Sequence, residues 1–494
     1  MSSIDEIKEA RIKKLELLKE KGMNPYPAES KRELSLVKAV EIFDDLEKSG
    51  NPKWLAGRVI SIRGQGALVF ITLYDGTAKF QALFKKDVLD QKKFGLFNDA
   101  VDIGDFIEVY GTFFTTKRGE KTIEAKDWNM LTKSLLPLPE KWHGLVDIEE
   151  IYRARYLDLI MEEDAHDLFI TRSKIIKAIR EYLDEKNLLE VETPILQNQA
   201  GGAMAKVFKT YHNDYQMDMV LRIALELDHK KIMAGGYEGV YEIGKCFRNE
   251  GSDPTHIQEF TMLEWYAAYK TLETNIEWTE EMIKHIAFNL VGKKSFKFLD
   301  KEGKEQEINF DGEWPRISFG ELLKKNTGID IDNISIEEIK KEAIKWGMSA
   351  DEVKKTGRGN LLDHIYKKSS RGKIINPTFV IKFPGELKPL AQQNPDGTAE
   401  VAQLVIAGAE ITNQYAELVD PQIQRELLLA QSKVKEKGDE EAMEVDESFL
   451  TAMEHGMPPM TGFGMGIDRL TAILTEKKNL RDVIFFPIMK PKNE

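Results

Sequence analysis

The chain opens with helical periodicity. Ile4, Ile7, Ile12, Leu15 and Leu18 approximate a 3.6-residue period, which predicts a helix over residues 4–22 with Gly22 as its stop. Lys8, Arg11, Lys14 and Lys19 charge part of the other face, as a solvated helix or an auxiliary nucleic-acid contact requires. Asn24-Pro25-Tyr26-Pro27 breaks the pattern, and a second helix is expected around residues 35–48. From Trp54 the period falls to two. Ala56–Ile62, Leu68–Leu73, Ala78–Phe84, Phe106–Thr112 and Lys121–Ala125 read as short strands, with turn signals such as Asp75-Gly76 between them.

Five short strands in so small a segment suggest a small barrel of the OB-fold kind at residues 51–137. Such barrels bind single-stranded nucleic acid by stacking and edge hydrogen bonds, which makes Phe70, Gln81 and Glu120, with Arg63 nearby, the candidate base readers. Residues 138–150 read as a connector after a helical extension over residues 1–50. Ile151–Ile160 is charged and helical, and Arg172–Asn187 is a long amphipathic helix running into Leu188–Val191 and Glu192-Thr193-Pro194. Residues 313–372 are rich in Lys and Glu and mostly helical, as an insertion into the larger region 151–494 would be. The fold class is α+β and multidomain.

Phe247-Arg248-Asn249-Glu250 and Phe260-Thr261-Met262-Leu263-Glu264 read as two strands around a loop. Side chains alternate faces along a strand. Arg248 and Glu250 therefore share one face of the first strand, and Phe260, Met262, Glu264 and Tyr266 share one face of the second. Together they offer a cation for a phosphate, flat rings for a base, and carboxylates for an amine. Gly462-Phe463-Gly464-Met465-Gly466-Ile467-Asp468-Arg469-Leu470 reads as a glycine-rich strand entering a helix. Glycines admit a ligand close to the backbone, and a helix N-terminus favours anions.

Composition narrows the class. The chain has 494 residues, 42% hydrophobic and 31% charged, with no apolar run long enough to cross a membrane. Its single cysteine, Cys246, reads as a small buried hydrophobe, and the setting as reducing and cytoplasmic. The net charge of −13 argues against nucleic acid as a partner. Residues 51–133, however, carry 13 Lys and Arg against 10 Asp and Glu, so the barrel segment is locally basic.

In chain order, the helix ending at Glu192-Thr193-Pro194, the Arg248/Phe260 hairpin and the Gly-x-Gly-x-Asp468-Arg469 strand–helix resemble the three signature motifs of class II aminoacyl-tRNA synthetases. With the barrel in front, the chain is similar to the lysine, aspartate and asparagine subgroup, and most of all to bacterial-type lysyl-tRNA synthetases. Gly201-Gly202-Ala203, Glu226-Leu227 and Asn413-x-Tyr415-x-Glu417 carry the last step.

The resemblance implies an antiparallel catalytic sheet flanked by helices and two-step aminoacylation with ATP, L-lysine and tRNA-Lys as partners. It also implies a homodimer and a magnesium cofactor. Arg248 and Arg469 would be catalytic. Arg248, Glu250, His256, Phe260, Glu410 and Arg469 would bind ATP, with Phe260 and Arg469 enclosing the adenine. Gly202, Glu226, Arg248, Glu264, Tyr266, Asn413, Tyr415 and Glu417 would bind lysine, and Glu410 with Gln403 would meet the metal. Arg63, Phe70, Gln81 and Glu120 would read the anticodon. The acids at 226, 264 and 417 suit an ammonium-bearing substrate and disfavour aspartate.

One phase argument can be checked in the structure. Asn413, Tyr415 and Glu417 share strand parity, and Glu410 does not, so a bulge is expected near Thr412. The chain also departs from the family pattern at Thr255 before His256, at Lys206-Val207-Phe208, at Asp228, at Val401-Ala402 and at Gln403, where a carboxylate is usual. The rival readings are a relative that lysylates protein, an aspartate or asparagine enzyme, and an RNA-binding protein with an inactive core.

Overall fold

The computed structural model describes residues 3–139, 147–203, 205–300, 303–436 and 445–492. It divides into two compact units, Met1–His166 and Asp167–Glu494.

In the first unit, five strands close a barrel in the spatial order Lys53–Gln65, Leu68–Tyr74, Lys79–Lys85, Lys121–Thr132, Phe106–Thr115. Alternation decides which side chains fill it. Val69, Ile71 and Leu73 point in, while Phe70, Thr72 and Tyr74 are half-exposed on the outside. Gly111 sits where the strands crowd, since a Cβ there would lie 2.0 Å from the Glu124 carbonyl. The helices expected over residues 1–50 pack against the barrel. Leu18, Leu36, Ala39, Phe43 and Leu46 belong to the same buried cluster as the barrel's Phe84, Phe97 and Trp128. Arg11 and Lys14, expected on a charged face, are also committed within the unit. Arg11 is buried and donates to the Ser134, Leu136 and Ile103 carbonyls, and Lys14 lies 2.6 Å from Asp102. The helices Ile148–Arg153 and Arg155–Met161 fall in this unit.

The second unit is built on an eight-stranded sheet. Its order is Arg316–Ser318, Thr378–Pro384, Thr398–Ile406, Ala409–Ala416, Met460–Gly466, Glu259–Ala268, Gly239–Phe247, Leu189–Glu190. The interior pairings are antiparallel, and the two outermost pairings are parallel. One face carries Tyr241, Leu263, Trp265, Phe463 and Leu404 into a core shared with the helices Glu163–Glu185 and Leu272–His285. Trp265 and Phe463 are register partners and stack at 3.4 Å between ring centroids. Such a pair contributes about 1 kcal/mol beyond its buried area.

The residues between them face the other way, in a polar row across the sheet. Glu242 pairs with Glu264, Glu264 with Gly464, Gly464 with Asn413, and Asn413 with Gln403. Four helices from Phe319 to Ser369 cover the end of this same face, burying Val380, Val401 and Val405 beneath Phe319, Leu323, Leu361 and Ile365. Three of those helices start with a Ser-x-x-Glu capping box, at Ser318, Ser335 and Ser349. The segment is helical as expected, although Arg316–Ser318 within it joins the sheet. Among the described residues, no helix is long and apolar enough to cross a membrane.

Candidate active site

Glu264, Gly464 and Asn413 of the polar row line a cavity of about 320 Å³ in the second unit. Phe260, Met262, Glu264 and Tyr266 all line it, as period-two alternation along one strand requires. The first hairpin strand stops at Phe247, one residue before the arginine. Arg248 and Glu250 therefore reach the cavity from a loop, not from a continuing strand. That loop is pinned by backbone bonds from Arg248 to the Gln258 carbonyl and from Asn249 to the Lys206 carbonyl, both 2.8 Å. The Arg248 guanidinium donates to the Ile223 carbonyl at 3.4 Å and lies 5.1 Å from the centre of the Phe260 ring.

The strand opposite solves a phase problem. Leu404 pairs with Thr412, but the next residue, Val405, pairs with Glu410. Ile411 is the extra residue of a bulge, one position from the expected Thr412. The bulge brings Glu410, Asn413 and Tyr415 to the same cavity. The Asn413 amide donates to the Tyr415 hydroxyl at 2.6 Å.

Two glycines make room, Gly462 of the strand Met460–Gly466 and Gly202. A Cβ on Gly462 would lie 2.0 Å from Glu417 Oε1 and 2.6 Å from the Tyr266 ring. Gly202 has φ +79°, and a Cβ there would meet the Glu226 Cβ at 2.9 Å. At the far end Arg469 donates to the Glu410 carbonyl at 2.9 Å. The helix Ile467–Leu474 that carries it is anchored by Asp468, which accepts from the Thr261 backbone N–H at 2.8 Å and faces Arg172 at 2.7 Å. His256 sits exposed at the rim, 2.9 Å from Asp253.

Burial sorts the carboxylates. Glu264 is buried; it accepts from the Leu225 N–H at 3.1 Å and the Tyr266 hydroxyl at 3.4 Å, and no cation pairs with it among the described residues. Burial, reinforced by nearby Glu226, pushes its carboxyl up to about 8 despite those donors and Arg248. Glu417 is placed differently from expectation. Its carboxylate does not line the cavity but lies 2.6 Å from the ammonium of Lys230. Lys230 is fully buried and also donates to Glu226 at 2.6 Å. Two adjacent buried carboxylates carry a large desolvation cost, and the ammonium between them offsets it. Although burial opposes its charge, Glu226 and Glu417 hold Lys230 firmly protonated. Burial likewise raises the Glu417 carboxyl, to about 8. Gln403, expected at a metal, is buried beside Asn413 and is not a lining residue. Cys246 is buried with its thiol pushed up to about 12 by burial, a packing role as expected.

The charge layout therefore has two ends. One holds a ring and two guanidinium groups, the other an unpaired acid walled by Tyr266 and Tyr415.

A family model described as class II tRNA synthetases (D, K and N) matches residues 147–490, and one described as an OB-fold nucleic acid binding domain matches residues 53–131. The chain belongs to the class II tRNA synthetases of the D, K and N group. Similar curated proteins are named lysine–tRNA ligase. One from Prochlorococcus marinus (strain MIT 9312) is 42% identical over 99% of this chain and 97% of its own length. One from Aquifex aeolicus is 42% identical over 98% of this chain and 84% of its own, and one from Moorella thermoacetica is 41% identical over 98% of each.

Within this class II synthetase, sequence reasoning missed Lys230, Lys388 and Arg172. The four-residue step from Glu226 to Lys230 was a readable signal, because it is the spacing of a helical ion pair. Arg172 and Lys388 gave no local signal, since each meets its surroundings through long-range folding.

On the barrel, Arg63 and Phe70 are directly opposite on neighbouring strands, and Gln81 lies opposite Thr72, one step diagonal to Phe70. These three share the outer face. Gln81 donates to Thr122 at 2.8 Å, and Thr122 in turn donates to the carbonyl of exposed Glu120 at 3.1 Å. Three of the four candidate base readers thus share a face, and exposed Glu120 joins them through its backbone carbonyl.

Proposed function

We propose that this synthetase activates L-lysine with ATP and transfers it to tRNA-Lys. The observation that carries the reading is Glu264: a buried carboxyl facing the cavity, held by a backbone N–H and flanked by tyrosines, with no cation paired to it among the described residues. An ammonium on a long aliphatic stem supplies the partner Glu264 lacks, while a substrate carboxylate would face that acid. Glu226 and the Lys230–Glu417 pair stand behind it, and Gly202 leaves room beside the substrate's α-amino group.

In the first step a carboxylate oxygen of lysine attacks the α-phosphorus of ATP and pyrophosphate leaves. Arg248 holds both partners, which is positioning plus charge neutralisation. Phe260 and Arg469 enclose the adenine, Glu250 accepts from its amino group, and His256 meets the γ-phosphate at the rim. In the second step the 3′-hydroxyl of the terminal adenosine attacks the acyl carbon and AMP leaves. Among the described residues no side chain is placed as a base, so a phosphate oxygen of the adenylate takes the proton.

Among the described residues no three acids, histidines or cysteines converge as a metal cage. Glu410, with substrate phosphate oxygens completing the shell, fits one hard divalent cation such as magnesium. When bound, that cation would neutralise phosphate charge.

The barrel face of Arg63, Phe70, Gln81 and Glu120 reads the anticodon by stacking and edge contacts. The helix Glu163–Glu185 helps form a homodimer, and the protein works in the cytoplasm. The support for these last points is the amphipathic pattern of that helix, the lone buried cysteine and the absence of a membrane-length apolar helix among the described residues.

The test is amino-acid-dependent ATP–pyrophosphate exchange with lysine, ornithine, arginine, aspartate and asparagine. Exchange with lysine alone is expected. Exchange with aspartate would overturn the pocket assignment, and exchange with none would favour an RNA-binding protein with an inactive core.

A further inference from the structure

Among the described residues, two arginines and one lysine line the cavity: Arg248, Arg469 and Lys388. The two arginines each donate to a backbone carbonyl, Ile223 for one and Glu410 for the other. Lys388 differs. Among the described residues its ammonium has no ion pair and no hydrogen bond. Its position is nevertheless fixed. The backbone N–H donates to the Gly385 carbonyl at 3.0 Å, and its own carbonyl accepts from the Gln393 amide at 3.0 Å and the Ala391 N–H at 3.1 Å. The ammonium lies 5.2 Å from the centre of the Phe383 ring and 5.6 Å from that of Tyr415. Burial disfavours its charge and the field of Glu410 favours it.

A lysine packed only for its stem carries its ammonium out to water. This one is half-buried at a cavity wall, where no carboxylate among the described residues pairs with it directly. Position 403, paired with Asn413 across the strands, is a neutral amide turned to that residue. The wall thus offers one carboxylate, Glu410, and one uncommitted ammonium.

We propose that Lys388 is a further nucleotide-binding residue, whose ammonium pairs with the phosphates of ATP and carries part of the neutralisation that a second divalent cation would otherwise supply. This rests on the reading of the cavity as an ATP site.

The test is equilibrium binding of ATP, and separately of lysine, to the full chain and to Lys388→Met and Lys388→Arg, each in EDTA and in magnesium. Methionine keeps the stem between the two rings and removes the charge. A charge-assisted contact of this kind is lost as roughly tenfold to hundredfold weaker ATP binding. The expected result is that loss in Lys388→Met, larger in EDTA than in magnesium, with near-normal ATP binding in Lys388→Arg and unchanged lysine binding in both. Unchanged ATP binding in Lys388→Met would overturn the proposal. So would weakened lysine binding, which would mark a packing role at Tyr415, or a defect confined to transfer onto tRNA. If Lys388→Met does not fold, Lys388→Gln replaces it under the same criteria. If the parent chain itself binds no ATP, the ATP-site reading fails, whereas ATP binding indifferent to position 388 removes only the role of Lys388.

Discussion

Replacing Glu264 by glutamine preserves shape and removes one charge at the acid end of the cavity. The side chain is 4% exposed, so an arriving ammonium is paired almost out of water. Breaking such a pair costs about 4 kcal/mol. Part of that is already spent in the parent protein. Its carboxyl sits at about 8, so at pH 7 a proton must be removed before the pair forms, which costs about 1.4 kcal/mol per pH unit. The net loss is then about 2.6 kcal/mol, or roughly eightyfold in lysine affinity. The assay is lysine binding without ATP, with ATP binding as the internal control, because the ring and guanidinium groups at the other end are untouched. A lysine dissociation constant within about threefold of the parent's at pH 7 would refute the assignment of Glu264 to the substrate ammonium, since so small a change is under 1 kcal/mol.

The same carboxyl makes lysine binding pH-dependent: affinity should rise up to about tenfold per unit as pH approaches 8, with proton release on binding, and Glu264→Gln should flatten that slope. Because its folded pKa is raised, the ligand-free chain holds the associated stability below about 4.5 and loses it as pH climbs through about 8; melting curves of parent and Glu264→Gln should diverge over that window, with the parent losing ground. Phe260→Ala should weaken ATP binding by about 1–3 kcal/mol, the worth of a base–aromatic stack, and leave lysine binding intact. Phe70→Ala on the barrel should slow aminoacylation of tRNA-Lys while pyrophosphate exchange without tRNA stays at the parent rate; equal loss in both assays would remove the barrel from RNA recognition.

Much of the second unit was readable because alternation constrains it. Phe260, Met262, Glu264 and Tyr266 share a parity, and they share a cavity. The conflict of phase between Glu410 and Asn413 required an extra residue, and Ile411 is that residue. The barrel strands were legible for the same reason, and the Ser-x-x-Glu caps announced the helices of the insertion. What was not legible depends on distant contact or on burial. The helices before residue 50 looked separate because no local pattern says that Leu36 and Phe43 complete the barrel's own core. Glu417 had the right parity for the cavity, but parity cannot foresee that Lys230, one helical turn beyond Glu226, would claim its carboxylate. Arg248 was placed on a strand that ends one residue too soon, where the loop takes its bonds from Gln258 and Lys206 instead of a sheet neighbour.

The glycine-rich strand through the cavity floor separates two demands that usually travel together. At Gly462 a methyl group collides with Glu417 and Tyr266, so the folded chain itself forbids it. At Gly464 the nearest atom to such a methyl would be the Glu264 Cγ at 3.8 Å, an ordinary contact, and the backbone there needs no unusual angle. Alanine at 464 is thus acceptable to the architecture and objectionable only to whatever occupies the hollow above it. Two neighbouring absences of a side chain are maintained by different pressures, one by packing and the other by occupancy. A survey of variants scored on folding alone would register the first and pass over the second.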